Sequence, residues 1–225
     1  APDRVFNVGA LGVESIRRMP LMGRKELADA IGFNPGKPYF LVTFHPVTLE
    51  TGTAEGQFRS LMAALDAFPE YHVIFTKANA DTDGRTINRL IDDYAEKRPE
   101  RCLAVASLGM HRYLSAMKHA TAVIGNSSSG IIEAPSFKIP TVNIGDRQQG
   151  RIRSESVMDC EPTIVSIKAA IAAGISPEYR QRIRDAENLF EKDGTARRIV
   201  SEIAAMDLGR LLKKCFHDIP ESGRK

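Results

Sequence analysis

The chain has 225 residues, 43% hydrophobic and 26% charged, with a formal net charge of +3, which is long enough for one large domain with a sizeable core. No run approaches the ~18 apolar residues of a membrane span. The basic residues form neither blocks nor the aromatic-basic interleaving of a nucleic-acid surface, and the N-terminus APDRVF lacks a signal-peptide pattern, so export is not expected.

In chain order, residues 4–9 (RVFNVG) read as a strand and turn, and residues 25–31 as a short helix. The breaker cluster Asn34-Pro35-Gly36-Lys37-Pro38 separates this lead-in, residues 1–36, from the sheet-forming part of the chain. Residues 39–44 (YFLVTF) form a strand with almost no polar relief, as a central parallel strand requires. Residues 72–76 (HVIFT), 102–106 (CLAVA), 122–125 (AVIG) and 141–144 (TVNI) repeat that theme. Helical stripes lie between them: Leu61, Leu65 and Phe68 within 57–68; Ile87, Leu90, Ile91 and Tyr94 within 86–97; Tyr113, Leu114 and Met117 within 110–120. Beyond Gly150, residues 163–165 predict a last short strand, and 176–190 and 196–212 predict helices, the first opened by Ser176 as N-cap and Pro177. The alternation predicts an α/β fold over residues 37–215, a Rossmann-like parallel sheet flanked by helices with right-handed crossovers, and a polar tail over 216–225. Cys102, Cys160 and Cys215 are separated and odd in number, which points to free thiols in a reducing, cytoplasmic compartment. Cys102 opens a strand and reads as core.

Open parallel sheets bind ligands beyond the carboxyl ends of their strands. Four such ends carry polar, anion-friendly residues. After 122–125 come Asn126-Ser127-Ser128-Ser129-Gly130, then a short helix near Pro135, with Glu133 one turn on. Amide groups and serine hydroxyls there suit a phosphate, Gly130 permits close backbone approach, and the Glu133 carboxylate can accept both hydroxyls of a ribose. The same residues also fit a plain serine N-cap with a first-turn acid. His45 follows the central strand and either donates to a phosphate oxygen or leaving group, or serves the turn backbone. Thr48, in the same turn, fits a cap or a phosphate donor. Asn79, after 72–76, is a polar contact for a ligand, while Asp81, Asp83 and Gly84 read as turn and cap residues. The DxDG run there is no calcium loop, because its twelfth position is Asp92. Arg147 and Arg151 lie in a glycine-bounded loop after 141–144, suited to an anion or to solvent.

The series FHPVT at 44–48, NAD at 79–81, SLG at 107–109, GNSSSGIIE at 125–133 and IPTVNIGDRQQGR at 139–151 resembles the hydrolysing UDP-N-acetylglucosamine 2-epimerases, in order and over nearly the whole chain. The resemblance implies the C-terminal half of a GT-B-like fold, with a first domain not represented here. It implies that His45 contacts the diphosphate and assists departure of UDP, and that Asn79 lines the nucleotide site. Ser107 and Leu108 would flank uracil, and Ser127, Ser128, Ser129 and Gly130 would hold phosphate. Glu133 would hold the ribose and Arg147 would lie near the phosphate and sugar. It implies no metal or cofactor, a UDP-sugar as small-molecule partner, and a homo-oligomeric full-length enzyme. The carboxylates that handle the C2 proton belong to the first domain, so this chain is expected to be inactive alone. A glycosyltransferase half and a non-catalytic UDP-sugar-binding module are the alternatives.

Overall fold

The computed structural model describes residues 5–47, 52–79 and 82–206. Thr48, Asp81, Cys215, the 216–225 tail and the end of the helix expected at 196–212 lie outside the described residues. The strands are β1 (Tyr39–Thr43), β2 (His72–Thr76), β3 (Cys102–Val105), β4 (Ala122–Gly125), β5 (Thr141–Ile144) and β6 (Val157–Cys160). The helices are α1 (Leu11–Arg18), α2 (Arg24–Ile31), α3 (Ala54–Leu65), α4 (Thr82–Glu96), α5 (Gly109–His119), α6 (Ser128–Ile132), α7 (Ile164–Ile175), α8 (Pro177–Arg182) and α9 (Thr195–Ala205). The strands form one parallel sheet in the order β3-β2-β1-β4-β5-β6, the Rossmann-like architecture expected.

The unbroken apolar run of β1 has a direct cause. All five of its residues are buried because helices cover both faces of the sheet. Phe40 and Val42 pack with Phe58, Leu61 and Leu65 of α3, Ile87 and Ile91 of α4, and Ile167 and Ile171 of α7. Tyr39 and Leu41 point the other way, against Leu27 of α2 and Ala116 and Met117 of α5. Leu27 thus ties the lead-in to the second face of the sheet.

Three local expectations are corrected. Residues 163–165 are not a strand: Thr163 caps α7 by accepting the Ser166 N–H at 3.3 Å. The run 164–175 is β-branched in composition but helical in period, with Ile164, Ile167, Ile171 and Ile175 spaced by three or four. The sixth strand is Val157–Cys160, a half-exposed edge with no apolar run to betray it. Residues 5–10 form no strand; the Val8 carbonyl accepts from Thr195 Oγ1 and the Ala10 N–H donates to the Phe190 carbonyl. The helix from Ser176 stops at Arg182, passing through one 3₁₀ turn (Ile183–Asp185). There Asn188 leaves to donate to the Ile132 carbonyl at 2.8 Å and to Ser136 Oγ at 2.6 Å, tertiary bonds that take precedence over helix continuation.

Candidate functional site

Val105, Thr76, Thr43, Gly125, Asn143 and Asp159 stand in a single register row across the six strands. Because every strand runs the same way, the residues beyond this row all leave the sheet at one edge. That edge carries Ser107, Lys77 and Asn79, His45, Ser127, and Arg147. Strand order reverses between β1 and β4, so His45 and Ser127 flank the switch point, where open sheets form their crevice.

The switch point is held by two residues. Gly125 has φ +135°, and a Cβ there would fall 1.9 Å from the Thr43 carbonyl oxygen, so a glycine is needed for β4 to leave so close to β1. Asn126 is buried. Its Oδ1 accepts the His45 N–H at 2.8 Å and its Nδ2 donates to the His45 carbonyl at 2.8 Å. Its own carbonyl accepts from Arg147 Nη1 at 3.0 Å and Gln148 Nε2 at 2.9 Å. One residue, through its side chain and its backbone carbonyl, thereby joins the ends of β1, β4 and β5. Asn126 was not among the sequence candidates; an asparagine facing a histidine across a switch point was its available signal.

A cavity of about 390 Å³ opens here, within the range of small-molecule sites. His45, Asn79, Ser107, Leu108, Ser127 and Ser129 line it, together with Lys77, Tyr113, Thr43 and Thr76. Lys77 Nζ pairs with Asp92 at 2.7 Å, which gives Asp92 a structural role. Ser107 Oγ accepts the Gly109 N–H at 3.1 Å at the start of α5. Ser127 is the N-cap of α6, accepting the Ser129 N–H at 3.4 Å.

Ser128, Gly130, Glu133 and Arg147 are not on that wall. A Cβ on Gly130 would lie 2.8 Å from Thr141 Cγ2, and Thr141 Oγ1 donates to the Gly130 carbonyl at 2.9 Å. The missing side chain therefore seats α6 on β5. Arg147 is anchored at the Asn126 carbonyl, one residue from Ser127. Burial, and then the like charge of Arg151, lower its pKa from the usual value, strains that a bound anion would relieve.

Glu133 ends α6 and reaches toward α1. A Cβ on Gly12 would fall 2.6 Å from Glu133 Oε1, and the three nearest atoms it would meet outside its own helix all belong to Glu133. Gly12 is thus the floor on which this carboxylate rests. Glu133 Oε2 is buried without a hydrogen-bond partner among the described residues. Burial raises the carboxyl pKa from 4.5 to about 7, a rise partly opposed by a backbone hydrogen bond.

A second cavity, about 580 Å³, lies at the ends of β5 and β6 and includes Asp146, Arg153, Asp159 and Glu161. Three carboxylates face one arginine already paired with Asp159 at 3.0 Å, a poor cradle for a polyanion. Burial pushes Cys102 up to about 11 and Cys160 up to about 12, so neither is a thiolate nucleophile at neutral pH. Among the described residues there is no cluster of three metal-ligating side chains, and no helix long and apolar enough to cross a membrane.

Residues 1–204 match the family model for UDP-N-acetylglucosamine 2-epimerase. The chain belongs to this epimerase family. Over 217 residues it is 36% identical to the Campylobacter jejuni GDP/UDP-N,N'-diacetylbacillosamine 2-epimerase (hydrolyzing), covering 96% of this chain and 56% of that protein. Over 224 residues it is 35% identical to Escherichia coli polysialic acid biosynthesis protein P7, covering 98% and 56%. The chain spans about half the length of the curated relatives it matches. Among solved epimerases, that of Neisseria meningitidis bound to UDP-GlcNAc superposes with a TM-score of 0.73 at 14% identity, over 91% of this chain and 56% of that one. That of Methanocaldococcus jannaschii in complex with UDP-GlcNAc and UDP gives 0.69 at 13% identity, with the same coverage. The shared fold is the Rossmann-like part of a GT-B-like architecture.

Proposed function

We propose that this chain is the UDP-holding, C-terminal half of a hydrolysing 2-epimerase acting on a UDP-linked N-acylated amino sugar. The observation that carries the reading is the level register row: it brings His45, Asn79, Ser107, Ser127 and Ser129 around one cavity at the switch point, in a chain of this family. Uracil sits between Leu108 and the backbone at Ser107. The diphosphate takes hydrogen bonds from the serine hydroxyls and amides at the start of α6, with Arg147 beside it. The ribose hydroxyls donate to Glu133, giving its orphaned oxygen the partner a buried acceptor requires.

The reaction eliminates UDP across C1–C2 of the sugar, and water then adds to the resulting double bond. UDP-N-acetylglucosamine and water give N-acetylmannosamine and UDP, the starting sugar of sialic-acid-type biosynthesis. Charge develops on the departing β-phosphate, and donors fixed there lower the barrier most. His45, whose backbone Asn126 grips at both N–H and carbonyl, assists that departure. The groups that move the C2 proton lie outside these 225 residues.

The full-length protein, given UDP-N-acetylglucosamine with water as sole acceptor, should release N-acetylmannosamine and UDP. His45→Ala should lower kcat by roughly 100-fold, the lower range for a proton donor. The present chain alone should bind UDP without turnover. Release that depends on an added sugar acceptor would contradict the epimerase reading and favour a glycosyltransferase.

A further inference from the structure

Three hydroxyl groups form a continuous row on the wall of the cavity. The Tyr113 hydroxyl lies 2.6 Å from Ser129 Oγ, which lies 3.1 Å from Ser127 Oγ. The row runs from α5 to the start of α6, and all three residues line the cavity.

Each hydroxyl has one proton to give and lone pairs to accept with. A row of them without a defect therefore runs in one of two senses. Toward Tyr113, Ser127 gives its proton to Ser129 and the ligand faces lone pairs. Toward Ser127, Tyr113 donates to Ser129 and Ser129 to Ser127, leaving the Ser127 proton for the cavity. Ser127 Oγ already accepts from the Ser129 backbone, so its own proton is the group it has to offer. A diphosphate ester at neutral pH presents acceptors alone and selects the second sense.

We infer that this row is a polarised donor relay, with Tyr113 as the positioning residue that aims the serine protons at an acceptor-only ligand such as a diphosphate. The inference rests on the proposed UDP site. Tyr113 stays protonated throughout, since burial raises its pKa above the ordinary phenol value, against a smaller opposing effect of its bond to Ser129. Hydrogen bonds in such a row polarise one another, so cutting a link two residues from the ligand still weakens the last donor.

The test is an NMR titration of the chain and its variants with UDP and with uridine, which lacks the phosphates. Tyr113→Phe should weaken UDP by about fivefold, the scale of one neutral hydrogen bond, and leave uridine unchanged. Ser129→Ala, which removes the link between Tyr113 and Ser127, should weaken UDP in the same direction, and the double variant should bind no worse than Ser129→Ala alone. Unchanged UDP affinity in Tyr113→Phe overturns the relay, as does an equal loss for uridine, which would mark Tyr113 as packing. Losses that add in the double variant overturn it too, leaving Tyr113 as a direct contact. Wild-type chain that ignores UDP overturns the underlying site as well, an outcome distinct from any in which wild type binds and the variants do not differ.

Discussion

Replacing Glu133 by Gln tests the buried carboxylate directly. Its pKa stands at about 7 in the folded chain against an ordinary 4.5. Between those values the folded state holds a proton that the unfolded state has released, so stability falls as pH rises from about 4.5 to about 7 and is flat above. At 1.36 kcal/mol per pH unit the loss between pH 5 and pH 8 is about 2–3 kcal/mol, an upper figure given residual solvent access. Glutamine carries no such charge. Urea unfolding of both proteins at pH 5 and pH 8 should therefore show Glu133→Gln gaining about 2–3 kcal/mol on wild type over that interval. Parallel pH profiles for the two proteins would refute the reasoning. The same carboxylate couples to UDP. Ribose hydroxyls donate to the charged form and lower its pKa, so wild-type affinity for UDP should rise with pH up to about 7 and then level, with a proton released on binding.

Gly12→Ala places a methyl where Glu133 Oε1 now rests. Calorimetry should show UDP affinity falling about tenfold, the scale of a charged hydrogen bond, and unchanged affinity would mean the seat does not matter. Gly125→Ala drives a Cβ into the Thr43 carbonyl at a positive φ, and chemical denaturation should register a loss of about 3 kcal/mol or more. Asn126→Ala strips both backbone groups of His45 of their partner. A stability loss of about 2–3 kcal/mol is expected, together with slower turnover of the full-length enzyme; a neutral result would show the clamp to be dispensable.

The sheet was legible because a strand covered on both faces is buried and mostly apolar, and β1, β2, β4 and β5 are, their polar residues being Thr43, His72, Thr76, Thr141 and Asn143. The positions of His45, Asn79 and Ser127 at one edge were legible for a related reason: they are polar residues just beyond such runs, and a parallel sheet gathers those positions, whereas Ser107 was reached only through the family resemblance. Tyr113 was read as a core residue of an amphipathic helix, since periodicity reports the face of a helix and not the reach of a hydroxyl. Asn126 was given no role of its own, because the partner of its side chain lies 81 positions away in sequence. The pairing of Gly12 with Glu133 depends on how α1 lies against α6, which no local pattern encodes. β6 escaped notice as an edge strand of mixed polarity, while the isoleucine-rich start of α7 imitated one.

Whether this chain holds UDP at the β1/β4 switch point is tested most directly by thermal unfolding with added UDP. At one hundred times the dissociation constant, binding to the folded state alone stabilises by about 2.7 kcal/mol, a rise in Tm of roughly 5–10 °C for a chain of this size. That rise is expected in the wild-type chain, and its loss is expected when Ser127 and Ser129 are both replaced by alanine. An unmoved Tm at millimolar UDP would contradict the assignment of the site.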